Sequence, residues 1–392
     1  MTTDLIKPSS RLGVVDALRG LALLAIVLFH NIENFNIYFP ITDMPGWLEV
    51  LDKGILVFAN FALSGKAYAM FSLLFGFSFY IQLTNEQKRG GDFRLRFAWR
   101  MCLLFLFGQL HSLFYSGDIL VLYSVVGLML IAVCQLKNRT VLIIASVLLL
   151  QPYEWGRAIY AMFNPDYVIV GYSGQYYKAL LPVLKNGSLW DVLRANISNG
   201  QLFSDLWQLE NGRLFQTLGL FMVGMLLGRK KLFIKSDDSI KRWKTILVMC
   251  TIAFVPLYLL NTCIPGLIDN PSVVKPYKIA MNSYANNALM MVYVSAFTLV
   301  WFRGEGLKWQ KGLVPFGRMS LTNYITASII GMFIYCGFGL GLYKYAGATI
   351  SLIIGIGVFT LQLMASRWWL AQHKQGPFEA LWRKATWVNS SR

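Results

Sequence analysis

The stretch Gly108–Ile131, "GQLHSLFYSGDILVLYSVVGLMLI", decides how the chain is read. It is apolar enough to lie in lipid, yet it carries His111 and Asp118 in its middle. Around it, 56% of the 392 residues are hydrophobic, mean hydropathy is +0.51 and only 14% are charged. A soluble domain usually carries about 25% charged residues. Apolar windows of about the 20 residues that span a bilayer as a helix recur along the sequence. The fold class is therefore all-α: a polytopic integral membrane protein, one transmembrane helical domain over residues 1–392.

Ten spans are expected, near 14–32, 57–83, 97–115, 119–136, 140–160, 213–228, 244–264, 281–302, 317–339 and 347–370. "SGK" at Lys66 divides the second into two pieces, and Pro152 with Glu154 weakens the fifth. The start is polar and no small-residue cleavage site follows the first apolar run, so no cleavable signal peptide is expected.

Charge sets the orientation. With the N-terminus in the cytosol, twenty-five Lys and Arg fall on inside segments and nine on outside ones, while Arg19 and Lys66 lie within spans. Lys7 and Arg11, the run Lys88 to Arg100, the run Arg229 to Lys244, and Arg383, Lys384 and Arg392 are all on the inside. Cytoplasmic loops carry this excess in membrane proteins, so both termini are expected in the cytosol. That requirement accounts for the net charge of +17, and no nucleic-acid partner is expected. The loop 161–212, rich in Tyr and Trp, is expected on the outer face, as interfacial helices or as a cap over a cavity. The segment 371–392 is expected as a cytoplasmic amphipathic tail, with Phe378, Leu381 and Trp382 on one side. The five cysteines are scattered, with no metal-ligand or disulfide pattern.

Ionisable residues inside a bilayer cost at least about 2.5–3.5 kcal/mol, which makes them functional candidates. Asp16 and Arg19, three apart, share a helix face near the inner end of the first span; a local ion pair is the plain alternative. His30 and Asn31 stand at its outer end. Asp118, after a tight "YSG" turn, suits a helix N-cap, which leaves His111 unexplained. Histidine trades protons near neutral pH, and a carboxylate on one ring nitrogen would orient it as a general base. Arg318 opens the ninth span, and Asn323 lies within it, suited to an interhelical hydrogen bond or to a polar cavity.

These places lie in segments that resemble the YeiB-like bacterial inner-membrane proteins. The resemblance runs in order through "DALRGLALLAIVLFHNIENF", "SGKAYAMFSLLFGFSFYIQ", "GQLHSLFYSGDILVLYSVVG", "TLGLFMVGMLLGR", "FGRMSLTNYITASIIGMFIYCGFGLGLY" and "QGPFEALWRKAT". The long outer loop is not covered. Where the family has one Asn after the first apolar run, this chain offers both His30 and Asn31, and Ala380 stands where the tail usually has Trp. The family is similar at its first span to membrane-embedded acyltransferases that draw on cytosolic acetyl-CoA. The resemblance thus implies a multi-pass protein of the bacterial cytoplasmic membrane. It also implies transfer of an acyl group, acetyl by analogy, from acyl-CoA to a hydroxyl or amine acceptor, a sugar by analogy, on the outer side.

It implies His111 and Asp118 as the catalytic pair and Asp16, Arg19, His30, Asn31 and Asn323 as substrate-binding residues. Coenzyme A is a polyanion arriving from the cytosol, for which Arg94, Arg96, Arg100 and Arg318 are the candidate cations. Partners are then the bilayer, the acyl donor and the acceptor, and homodimer formation is left open. Export of a small polar solute is the alternative, since many spans with buried polar residues suit it equally.

Overall fold

A computed structural model describes residues 12–41 and 44–387. Lys7, Arg11 and Arg392 of the charge argument, and the last five residues of the tail, lie outside the described residues.

Every regular element among the described residues is helical. The first half comprises α1 (Gly13–Ile32), α2 (Gly46–Ala62), α3 (Lys66–Gln87), α4 (Arg94–Ser112), α5 (Leu120–Val133), α6 (Asn138–Leu149) and α7 (Pro152–Phe163). Three short helices follow in the outer-loop segment: α8 (Ser173–Asn186), α9 (Leu189–Ala195) and α10 (Gln201–Glu210). The second half is α11 (Arg213–Arg229), α12 (Asp237–Cys263), α13 (Pro271–Gly304), α14 (Lys308–Arg318), α15 (Ser320–Tyr335), α16 (Ala348–Gln372) and α17 (Pro377–Thr386). Proline opens α7, α13 and α17, where its missing N–H costs no helix bond and its fixed φ suits the first turn.

Among the described residues, five helical stretches are long and apolar enough to cross a membrane: Gly13–Ile32, Gly46–Gln87, Asp237–Leu267, Pro271–Gly304 and Ala348–Gln372. The expected second and fifth spans are each two helices. The first break falls at Ser64–Gly65, between α2 and α3. The second falls at Gln151, whose φ of 54° no continuing helix can hold, immediately before Pro152.

One of the closest helix–helix contacts inside the bundle joins α3 and α11. A Cβ on Gly76 would stand 1.9 Å from the Phe221 carbonyl oxygen, and one on Gly224 would stand 1.9 Å from that of Leu73. Backbone therefore meets backbone, and Phe75 stacks on Phe221 at 4.6 Å beside the crossing. Without a hydrophobic drive between helices in lipid, this close approach of small residues is what holds them together. Around it α1 packs on α3, α14 and α16, while α12 lies along α13 at the edge. Large apolar side chains such as Val248, Ile252 and Leu361 point outward, the pattern expected of a surface solvated by acyl chains.

The tail departs from a simple surface anchor. Phe378 and Trp382 pack on the main core, but Leu381 is exposed and does not share their side. The carboxylate of Glu379 accepts from the backbone N–H groups of Leu321 (2.7 Å) and Thr322 (3.1 Å) and from the Thr322 hydroxyl (2.6 Å), which caps α15 from another helix.

Candidate functional site

His111 sits in the last turn of α4, and a five-residue turn, Leu113 to Gly117, carries the chain to Asp118 at the head of α5. The turn folds back so that Nδ1 of His111 lies 2.7 Å from Oδ1 of Asp118. The second oxygen, Oδ2, accepts from the Val121 backbone N–H at 2.9 Å. The carboxylate thus caps α5 and holds the ring at once. Gly108 makes this possible, since a Cβ there would press on Val121 and on Asp118 Oδ2. Both side chains are buried, at 0% and 2% exposure. With Asp118 ionised, Nδ1 carries the proton and Nε2 is left as the acceptor. Nε2 has no hydrogen-bond partner among the described residues, a costly state for a buried polar atom.

The outer loop is tied directly to this turn. The Asp118 carbonyl accepts from Ser204 Oγ (3.1 Å) and Gln208 Nε2 (3.0 Å) of α10, and the Leu113 carbonyl accepts from Asn196 Nδ2 (2.9 Å).

Two cavities meet beside the pair. One, of about 260 Å³, is walled by Arg19, Arg100, Arg318, Ser78, Gln82, Tyr123, Glu379 and Trp382. The other, of about 440 Å³, is walled by His30, Glu33, Tyr115, Trp207, Gln208, Arg213 and Asn282. Ile26, Tyr68, Ile119 and Tyr324 line both and form the septum between them. The Tyr324 ring also packs on the His111 ring at 4.7 Å, so the pair lies behind the septum rather than on either wall.

The other expected residues divide. Arg19 donates to Asp16 at 2.7 Å and also to the Ser78 hydroxyl, so the first-span pair forms and its arginine faces the arginine-lined cavity. Arg100 lies over the Trp382 ring at 3.7 Å. Arg318 donates from Nη2 to the Lys374 carbonyl at 2.8 Å and leaves a buried Nε without a partner among the described residues. Arg94 and Arg96 are elsewhere, a correction to the expected cluster of four. Arg94 chelates Asp92 at 2.7 Å near the surface, holding that carboxyl below its usual range by hydrogen bonding, and Arg96 stacks on Trp387 at 4.0 Å. On a helix, i and i+2 diverge in direction, which separates Arg94 from Arg96. Arg96 and Arg100, four apart, share a face, and each stacks on a tail tryptophan, Arg100 alone reaching the cavity wall.

His30 lines the second cavity and meets the Tyr115 hydroxyl at 3.0 Å. Asn31, its neighbour, faces away. It donates to the Val27 carbonyl (2.7 Å) and accepts from the Tyr335 hydroxyl (3.1 Å), which ties α1 to α15. Asn323 donates to Ser366 Oγ (2.9 Å) and to the Phe316 carbonyl (3.2 Å), so it takes the interhelical role rather than the cavity one. The sequence did not single out Tyr68, Tyr115, Glu379 or Arg213 for this site. Glu379 carried a signal, an acid in an otherwise basic tail, but its partner on α15 is 58 residues away in sequence.

Residues 227–389 match the family model described as a protein of unknown function, DUF418. The uncharacterized protein YxaH of Bacillus subtilis is 26% identical over 97% of this chain and 95% of its own length. The uncharacterized protein YeiB of Escherichia coli is 26% identical over 95% of each.

Proposed function

The chain is YeiB-like, and from that premise we propose that it is a membrane-embedded acyltransferase of the bacterial cytoplasmic membrane. It crosses the bilayer ten times with both termini inside, and it moves an acyl group from cytosolic acyl-CoA to an acceptor hydroxyl or amine, such as a sugar's, on the outer side. One observation carries this reading. An arginine-lined cavity and a second, aromatic and polar cavity abut at a thin septum, with an oriented histidine behind it.

The fit of the donor supports the reading. The arginine-lined cavity has two cations, Arg100 and Arg318, beyond the Asp16–Arg19 pair, and Arg318 Nε is buried without a partner among the described residues. Its volume of about 260 Å³ falls below the ~300–1,000 Å³ of sites that engulf a drug-sized ligand. It suits the slim thioester arm, with the phosphates paired to the lining arginines. Tyr324 swings from the septum to join the two cavities and uncover His111. The imidazole Nε2 takes the acceptor's proton as the acceptor oxygen or nitrogen bonds to the thioester carbonyl carbon. The C–S bond breaks, and the proton passes from the ring to the departing thiolate. Asp118 keeps the ring oriented and offsets its charge.

Calorimetry with acetyl-CoA and the detergent-solubilised protein tests the donor. Arg318→Ala is expected to weaken binding about 10–150-fold, the worth of a charge-assisted hydrogen bond of roughly 1.5–3 kcal/mol. A folded parent protein that binds no acyl-CoA would instead favour export of a small solute, for which two cavities facing each other across a closed septum are equally suited.

Orientation has its own test. With the native cysteines removed, a cysteine replacing Asn186 is expected to react with an impermeant thiol reagent on intact cells, and one replacing Lys235 is not. Both positions are exposed. Reversed labelling overturns the sidedness.

A further inference from the structure

A third cavity, of about 570 Å³, opens between α6, α11 and α12. Its walls are apolar: Leu142 from α6, Val223, Leu226 and Leu227 from α11, Ile246 from α12. Its rim is basic: Arg139, Lys230, Lys241 and Arg242. It shares no residue with the two cavities described above.

Helix packing explains why the space exists. α6 lies along α11 and α12 lies along α13, so α6 and α12 stand apart across the groove. The apolar window of α12 has none of its residues buried, and Leu142, Ile143, Val248 and Met249 are all exposed. The rim is nonetheless fixed. Trp243 is fully buried and donates from its indole to the Leu232 carbonyl at 2.8 Å, and Ser236 with Ser239 forms a capping box at the start of α12. The groove is therefore preformed.

Its charges are available as well. Arg242 pairs with Asp238 at 2.8 Å, whereas Arg139, Lys230 and Lys241 have no ion pair among the described residues. Neighbouring Arg229 is already committed, donating to the Leu136 and Cys134 carbonyls and to Asn138 Oδ1.

We propose that this groove is a binding site for one anionic diacyl phospholipid, its acyl chains along Leu142, Val223, Leu226 and Ile246 and its phosphate among Arg139, Lys230 and Lys241. An apolar groove opening to the bilayer does not hold water, and acyl chains fill it. The basic rim then selects the headgroup, as basic pockets between helices do at the cytoplasmic leaflet. The site stands independently of the acyl-transfer reading.

Native mass spectrometry of the full chain, with added phosphatidylglycerol or phosphatidylcholine, tests it. The parent protein is expected to retain one phosphatidylglycerol at lipid concentrations where phosphatidylcholine is lost. The double variant Lys230→Gln/Lys241→Gln is expected to bind phosphatidylglycerol about 25-fold more weakly, near five-fold for each charge removed. Glycerol phosphate, which has the headgroup without the chains, is expected not to compete. Equal retention of the two lipids, or equal binding by parent and variant, overturns the proposal. Competition by glycerol phosphate makes this a site for a free anion and overturns it too. So does a dimer that excludes lipid from the groove. Should the variant not fold, the comparison of the two lipids on the parent protein, repeated at raised salt, decides alone.

Discussion

Replacing His111 by Ala or Asn is expected to lower turnover about 10²–10⁴-fold, the usual worth of a positioned base, while acyl-CoA binding stays near that of the parent. His111→Asn is the more telling variant. Its amide N–H can reach toward Asp118 much as Nδ1 does, so the carboxylate keeps a partner, but no group remains to accept a proton. His111→Ala leaves the buried carboxylate with only the Val121 N–H among the contacts described here, at a cost of about 1–3 kcal/mol in stability. The two readings of the pair separate on this point. If the pair only ties α4 to α5, His111→Asn keeps its activity and His111→Ala loses it in proportion to folded protein. If His111 is the base, both lose turnover per folded molecule. Asp118→Asn is expected to cost less than either, since it preserves shape and part of the hydrogen bonding. The measurements are acyl transfer normalised to folded protein by thermal melting, together with calorimetric acyl-CoA binding. A well-folded His111→Asn protein with full activity removes the base assignment.

Gly224→Leu is expected to destabilise the bundle by at least the roughly 1–3 kcal/mol typical of overpacking, and to reduce or abolish recovery of folded protein. The first atom of any side chain there would fall 1.9 Å from the Leu73 carbonyl oxygen. Backbone cannot rotate out of the way as a flexible side chain can. Relief requires α3 and α11 to separate, and α3 supplies Ser78 and Gln82 to the arginine-lined cavity, so donor binding falls with stability. Gly76→Leu presses on the Phe221 carbonyl from the other side and should behave alike. Gly357→Leu is the control: it is also helical, but a Cβ there meets nothing within 4 Å. The check is thermal unfolding of the three variants in one detergent. Equal melting of Gly224→Leu and Gly357→Leu would show that the crossing yields more easily than its geometry allows.

The sequence determined what depends on local composition and on short range. Apolar windows of spanning length dictate helices, because lipid leaves a single segment no other way to satisfy its own N–H and C=O groups. The breaks at Gly65 and at Gln151–Pro152 follow from the same local chemistry. So does the Asp16–Arg19 pair, three residues apart on one face. His111 and Asp118 were legible as a pair because only a short turn separates them, and the turn allowed both the cap and the ring contact that the structure displays.

Tertiary structure decided whatever needs two distant segments. Which arginines share a cavity depends on how α1, α4 and α14 are rotated against one another, and a run such as Arg94, Arg96, Arg100 carries no record of that rotation. Asn31 and His30 are adjacent, yet one ties helices together and the other lines a cavity, since successive helical residues point about 100° apart. Glu379 capping α15, α10 bonding to the Asp118 carbonyl, and Tyr324 standing between His111 and both cavities are contacts across 58, 90 and more than 200 residues. No local rule specifies such pairings; they follow from the packing of the whole bundle, set in part by the close approach of α3 and α11 at Gly76 and Gly224.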